Sequence, residues 1–206
     1  LSTPIRMFLV HTVLSLAPSI LIMLTSFTRI IIVLHFVRTA IGTQTAPPNQ
    51  VLVGLALFLT LFIMWPTFST INEKAIKPLD EGKITQQEAF KEAEGPFREF
   101  MYGQTQTKDI KLFVDISGKE YDDYKDVPFT TLVPAFILSE LRTAFILGFL
   151  IYIPFIVIDM VVSSVLMSMG MMMLPPTTIS MPFKVLLFIL ADGWDLIIGN
   201  LVKTFY

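Results

Sequence analysis

Charge in this chain is concentrated in one stretch. Residues 73–126 hold 13 of its 17 acids and 9 of its 15 bases, and only ten charges are scattered over the rest. Apolar runs flank that island. Met7–Thr28 carries no formal charge, the run resumes after Arg29 through Val37, and Val51–Ile71 is uncharged throughout. A helix of about 20 apolar residues crosses roughly 30 Å of hydrocarbon, so each run is long enough to span. A third run begins near Phe129, is interrupted by Glu140 and Arg142, and continues from Thr143 to Phe183 with Asp159 as its only charge. It is too long for one span and must turn back on itself. Pro175, Pro176 and Pro182 mark the place, because proline cannot donate to a helix ladder and its ring blocks the preceding turn. A fourth run, Val185–Val202, carries Asp192 and Asp195.

The expected fold is therefore all-α: a multi-helix membrane-associated protein with about four long hydrophobic helical segments, some broken, forming hairpins, plus a short helical polar insertion. Residues 1–71 form the first hydrophobic hairpin, 72–128 the polar insertion, and 129–206 the second hairpin. Within the insertion, Thr85-Gln86-Gln87-Glu88 has capping-box spacing, and Phe90, Ala93, Phe97, Phe100 and Met101 recur at helical intervals. Short helices are expected there, interrupted around Gly95-Pro96 and Gly118.

Composition excludes several classes. A chain that is 53% hydrophobic and 16% charged is too apolar for an ordinary soluble domain. The absence of cysteine and of a glycine repeat removes disulfide scaffolds and collagen-like fibres. A net charge of −2 argues against nucleic acid as a partner. The acidic balance of the polar loop favours an outer, periplasmic position, although the positive-inside rule discriminates weakly here because that loop also holds the most bases. No basic leader with a cleavage site precedes Leu1, so the expectation is a mature end after signal removal or a missing extreme N-terminus.

Catalysis finds no constellation. His11 and His35 stand alone on apolar runs, no Ser-His-Asp set or phosphate loop is present, and the acids Glu120, Asp122, Asp123 and Asp126 lack calcium-loop spacing. Neither a metal nor a cofactor is expected.

Three features instead argue that the apolar helices do not simply face lipid. Arg29, Glu140, Arg142, Asp159 and Lys184 lie inside the runs, where an ionisable group costs about 2.5–3.5 kcal/mol at a helix centre. Glu140 and Arg142, two residues apart, cannot satisfy each other on one helix, so partners on other segments or subunits are required. Snorkelling to an interface is the alternative for Arg29, Lys184 and Asp192. Prolines also occur within the runs; Pro154, Pro175 and Pro176, with Gly170, are candidate helix breaks, while packed kinks explain most of the others. Finally, seven of the eleven methionines fall between Met160 and Met181, with Met171, Met172 and Met173 consecutive. Such a run is commonly core filler or lipid contact. Bounded by glycine and proline, it can also form a deformable plug, because the unbranched thioether repacks around different shapes.

The segments PAFILSELRTAFILGF (134–149), IPFIVIDMVVSSVLMSMGMMMLPP (153–176), GTQTAPPNQVL (42–52) and ADGW (191–194) resemble the FliP family of flagellar type III export-gate proteins, and the related SctR family of injectisomes over the same regions. The resemblance implies a non-enzymatic, pore-forming subunit at the bacterial inner membrane. It would assemble as a pentamer with FliQ-like and FliR-like small subunits and pass unfolded flagellar subunits through the pore. It also implies that Met171, Met172 and Met173 form a methionine gasket, and that Glu140 and Lys184 make contacts between subunits; Arg142 and Asp159 are added because they need partners. One departure is Ile146, where the family often carries a polar or basic residue. The rival reading is an ion channel or proton-coupled transporter subunit using Arg29, Glu140 and Asp159 as a relay. Against it, no pair of broken inverted repeats is evident.

Overall fold

The computed structural model describes residues 2–206. All regular structure among them is helical: α1 (Thr3–Met23), α2 (Phe27–Ile41), α3 (Asn49–Ile71), α4 (Lys77–Asp80), α5 (Gln86–Gln104), α6 (Thr107–Ser117), α7 (Phe129–Ser168), α8 (Pro176–Leu190) and α9 (Gly193–Lys203). Three helical stretches are long and apolar enough to cross a membrane: Thr3–Met23, Asn49–Asp80 and Phe129–Ser168. The pair α8 and α9, bent by 66°, makes a fourth if counted as one broken span.

The apolar stretch from Met7 to Val37 is two helices, divided ahead of Arg29 rather than at it. Thr25 ends α1 by donating its hydroxyl to the Ile22 carbonyl at 2.5 Å and accepting from the Phe27 amide at 3.3 Å, a local bonding pattern that competes with the helix ladder. No residue of α1 is buried within the chain. The fourth run is also divided, at Ala191-Asp192, where Asp192 takes a left-handed conformation (φ 55°). Gly193 follows of necessity: a Cβ there would lie 2.4 Å from the Phe188 ring.

Residues up to Thr28 together with Thr60–Glu140 form one compact unit. Its core joins Leu24, Met101, Ile110, Val114, Val127, Leu132, Ala135 and Phe136, with Phe100 meeting Phe136 edge-on at 6.0 Å. α3 passes through a widened turn at Asn72–Ile76 directly into α4, so the helix runs to Asp80 before the chain leaves it. α5 opens on the predicted capping box: Thr85 accepts from the Glu88 amide and Glu88 from the Thr85 amide. The expected interruption at Gly95-Pro96 does not occur. Arg98 bridges to Glu94 at 2.7 Å, one turn back across Pro96, and Phe97 packs edge-on against Phe68 at 6.3 Å. These contacts on both sides of the proline hold the helix through the missing hydrogen bond. Gly118, by contrast, does end a short helix, α6, and takes the left-handed conformation in doing so.

Arg29–Leu59 with Leu141–Tyr206 form the second unit. Val37, Ala40 and Ile41 of α2 pack against Phe155 of α7 and Phe188 of α8. Phe188 in turn meets Trp194 edge-on at 5.1 Å.

α7 extends 40 residues, about 60 Å at 1.5 Å per residue, and does not break at Pro154. Phe155 is buried on Phe188, and Ile151 and Tyr152 pack on the same cluster, so tertiary contacts on either side offset the lost ladder bond.

Candidate functional site

The second unit is organised around the reversal between α7 and α8. α7 ends at Ser168, and the Met171 amide donates to the Leu166 carbonyl at 2.9 Å while the Gly170 amide donates to Met167 at 3.1 Å. Those two bonds, with Gly170 at φ +73°, are the paired closure that terminates helices through a left-handed residue, where any side chain is strained. α8 restarts with Pro175 as its cap and Pro176 in its first turn, a position at which the missing N–H costs nothing. Between these two devices stand Met171, Met172 and Met173, exposed by 41, 79 and 97%.

The two arms of this hairpin are tied by charge. Lys184 Nζ lies 2.8 Å from Asp159 Oδ2, and Ser180 Oγ donates to Asp159 Oδ1 at 2.5 Å. Lys184 and Ser180 are buried, and the Asp159 side chain is about a quarter exposed. Asp159 and Lys184 are equidistant in sequence from the midpoint between Met171 and Met172. Phe155 and Phe188 are too, and these also touch. The hairpin is therefore centred on the methionines, with an ion pair and then an aromatic pair stacked behind them.

The other candidate charges are buried to different degrees. Arg29 is buried, donating from Nη1 to the Thr204 carbonyl and to Thr204 Oγ1, both at 3.1 Å, with its guanidinium 3.9 Å from the centre of the Phe205 ring. It serves the carbonyl-rich end of α9, where a cation is favourable. Glu140 is fully buried in the first unit, and Arg142, in the second, is partly buried. Snorkelling thus does not describe Arg29 or Lys184, which are enclosed by protein, whereas Asp192 is exposed at the α8–α9 bend.

Two participants escaped the sequence reading. Ser180 is the donor to Asp159, and a signal for it existed: Ser180 and Lys184 are four residues apart, on one face of an otherwise apolar helix. Asp109 is buried in the first unit, accepting from Ser139 Oγ at 2.5 Å while Ser139 accepts from the Gln106 amide at 3.0 Å. It gave no signal, because it lies in a segment rich in solvated acids.

No three histidine, aspartate or glutamate side chains converge as a metal site among the described residues. An apolar cavity of the second unit, about 430 Å³ and lined by residues such as Val33, Pro154, Phe188 and Leu201, presents no acid or base.

The fold and the site define a class: an all-helical protein with three or four stretches able to cross a membrane, built around a methionine-tipped hairpin. Comparison with known sequences makes this specific. The sequence model of the FliP family matches residues 10–201, and the chain belongs to that family, which is non-enzymatic. It is 58% identical to the flagellar biosynthetic protein FliP of Bacillus subtilis (strain 168) over 205 residues, covering 99% of this chain and 93% of that protein. The protein of the same name from Caulobacter vibrioides is 54% identical over 195 residues, covering 94% of this chain and 73% of that one. That from Treponema denticola is 52% identical over 204 residues, with 98% and 75% covered.

Proposed function

We propose that this chain is the pore-forming core subunit of a flagellar type III protein export gate, passing unfolded flagellar subunits across the bacterial inner membrane. The observation that carries the reading is the methionine turn. Three consecutive thioethers, Met171 partly covered and Met172 and Met173 largely open, stand on a reversal fixed at one end by Gly170 and at the other by Pro175-Pro176. An apolar, flexible constriction excludes ions at rest by dewetting and repacks around a passing chain, whereas a ring of carboxylates would bind and retain ions.

Several copies are required to close such a ring, and the pentamer with FliQ-like and FliR-like partners fits that need. In this arrangement 72–128 is the periplasmic insertion, flanked by the hydrophobic hairpins 1–71 and 129–206. The Asp159–Lys184 pair acts within each subunit, fixing the height of the methionines, while Glu140, Arg142 and Arg29 support assembly. Helices enclosed by neighbouring subunits tolerate the internal charges and prolines better than helices surrounded by lipid do.

The test is ion conductance of the gate reconstituted in liposomes with its small partner subunits. Replacing Met171, Met172 and Met173 together by Ala is expected to turn a tight particle into a leaky one. Conductance unchanged by the replacement refutes the seal. A single small particle that conducts protons without any substitution supports a channel or transporter instead.

A further inference from the structure

We propose that Met171, Met172 and Met173 are a modification site for peroxide, and that their oxidation to the sulfoxide opens the seal; this rests on the gasket reading above. The chain has no cysteine, so thioethers are its only sulfur nucleophiles. Their exposure is steeply graded. Met64 and Met101 are completely enclosed, whereas Met172 and Met173 are 79 and 97% exposed.

Exposure alone would not single out the turn, because Met7 on α1, Met160 and Met167 on α7 and Met169 beside Gly170 are also uncovered, each more than Met171. The backbone does, and Met169 shares the non-helical segment with the three. Residues 169–175 lie outside the helices, and irregular backbone at membrane depth persists only where protein buries it or water lines it. In the ring proposed above the turn borders the lumen on either side of the dry constriction, which is the second case. The methionines on the helices sit instead among valine, isoleucine and phenylalanine, on faces suited to lipid or to neighbouring helices. A small neutral oxidant dissolved in the lumen water therefore meets the turn first.

The chemistry balances without further components. A sulfur lone pair attacks one peroxide oxygen, the O–O bond breaks, and the second oxygen leaves as water after proton transfer. Sulfur loses two electrons and peroxide gains them. The product carries a strongly dipolar S–O bond in place of an apolar thioether. Three adjacent sulfoxides in each copy would hold water in the constriction, which removes the dewetting that closes it. Thioether oxidation is reversible by methionine sulfoxide reductases, one enzyme for each epimer, so a seal opened in this way can be restored.

The experiment uses the complete gate in liposomes, exposed to graded hydrogen peroxide, with conductance and peptide mass mapping followed on the same samples. Expected are one added oxygen at each of Met171, Met172 and Met173 before any at Met64 or Met101, a rise in conductance in step with that addition, and loss of the rise after treatment with both reductases. Sulfoxide at these three positions with conductance unchanged overturns the proposal, as does a leak that appears while they remain unoxidised. The gasket reading fails separately: if the triple Ala replacement stays tight, the seal itself is wrong. If that replacement leaks while the sulfoxide form stays tight, only the oxidation step is.

Discussion

The ion pair behind the methionine turn gives the sharpest test of how the hairpin is held. In Lys184→Met the apolar stem is kept and the charge removed, which leaves the Asp159 carboxylate facing an apolar helix with only Ser180 to bond it. Breaking a fully buried pair costs about 3–5 kcal/mol, chiefly through the stranded charge. Asp159 is a quarter open to solvent and keeps the Ser180 hydroxyl, so the expected loss is nearer to about 2–3 kcal/mol. At about 2–4 °C per kcal/mol for a chain of this size, the melting temperature should fall by roughly 4–12 °C. Replacing both residues, Asp159→Asn with Lys184→Met, removes the stranded charge as well and should cost less than the two single changes added together. Tryptophan fluorescence of the detergent-solubilised protein is a suitable readout, since Trp194 rests edge-on against Phe188, one turn beyond Lys184. A Lys184→Met protein that melts within the measurement error of the unmodified one refutes the reasoning. So does a double variant whose loss equals the sum.

Two further outcomes follow from local geometry. Tyr102 donates its hydroxyl to the Tyr124 carbonyl at 2.5 Å, and burial holds its pKa above the ordinary tyrosine value, with Arg98 opposing that shift. The folded state therefore keeps this proton when the unfolded chain has lost it. The resulting stability is complete below about pH 10 and disappears as pH rises through the folded value. Tyr102→Phe should cost about 1 kcal/mol at neutral pH, and urea unfolding should show a smaller alkaline loss than in the unmodified protein; equal losses above pH 10 would contradict the assignment. Gly170→Ala places a side chain at φ +73°, at a cost of about 1–2 kcal/mol, so amides closing the end of α7 should exchange with deuterium roughly 5–30 times faster. Unchanged exchange over residues 166–173 would mean that the left-handed closure does not hold the turn.

The regular parts of the fold were legible because they follow from periodicity and local chemistry. The capping box at Thr85, the stop at Gly118 and the reversal before Pro175 each need only a few neighbouring residues to specify them. The interruptions were less legible, for a physical reason. Proline removes one ladder bond wherever it stands, but whether the helix breaks depends on what packs beside it. Pro96 is bridged by Glu94 and Arg98, and Pro154 is held by the cluster around Phe155 and Phe188. The unpredicted stops arose from residues with weak signals, Thr25 through a side-chain bond to backbone and Asp192 through a left-handed backbone.

Hydropathy fails for the candidate site because it scores each ionisable residue against lipid and takes no account of partners. Arg29 finds Thr204 and Phe205 at the far end of the chain, and nothing near Arg29 in the sequence announces them. Asp159 is different. Once the long third run is folded back at the methionines, the residue at equal distance on the other arm is Lys184, and the next matched pair inward is Phe155 with Phe188. Turn position and charge position thus specify one another: a hairpin centred one turn earlier or later would set Lys184 against an apolar residue and leave two uncompensated charges. The ion pair therefore acts as a register device, a recognised use of buried polar pairs that adds specificity rather than stability. The charges behind the tip thus favour the three methionines there over their neighbours in the run. Inserting two residues after Gly170 should then shift which side chains occupy the tip and, by straining the Asp159–Lys184 pairing, lower the melting temperature even with every methionine retained; a melting temperature equal to that of the unmodified protein would refute the coupling.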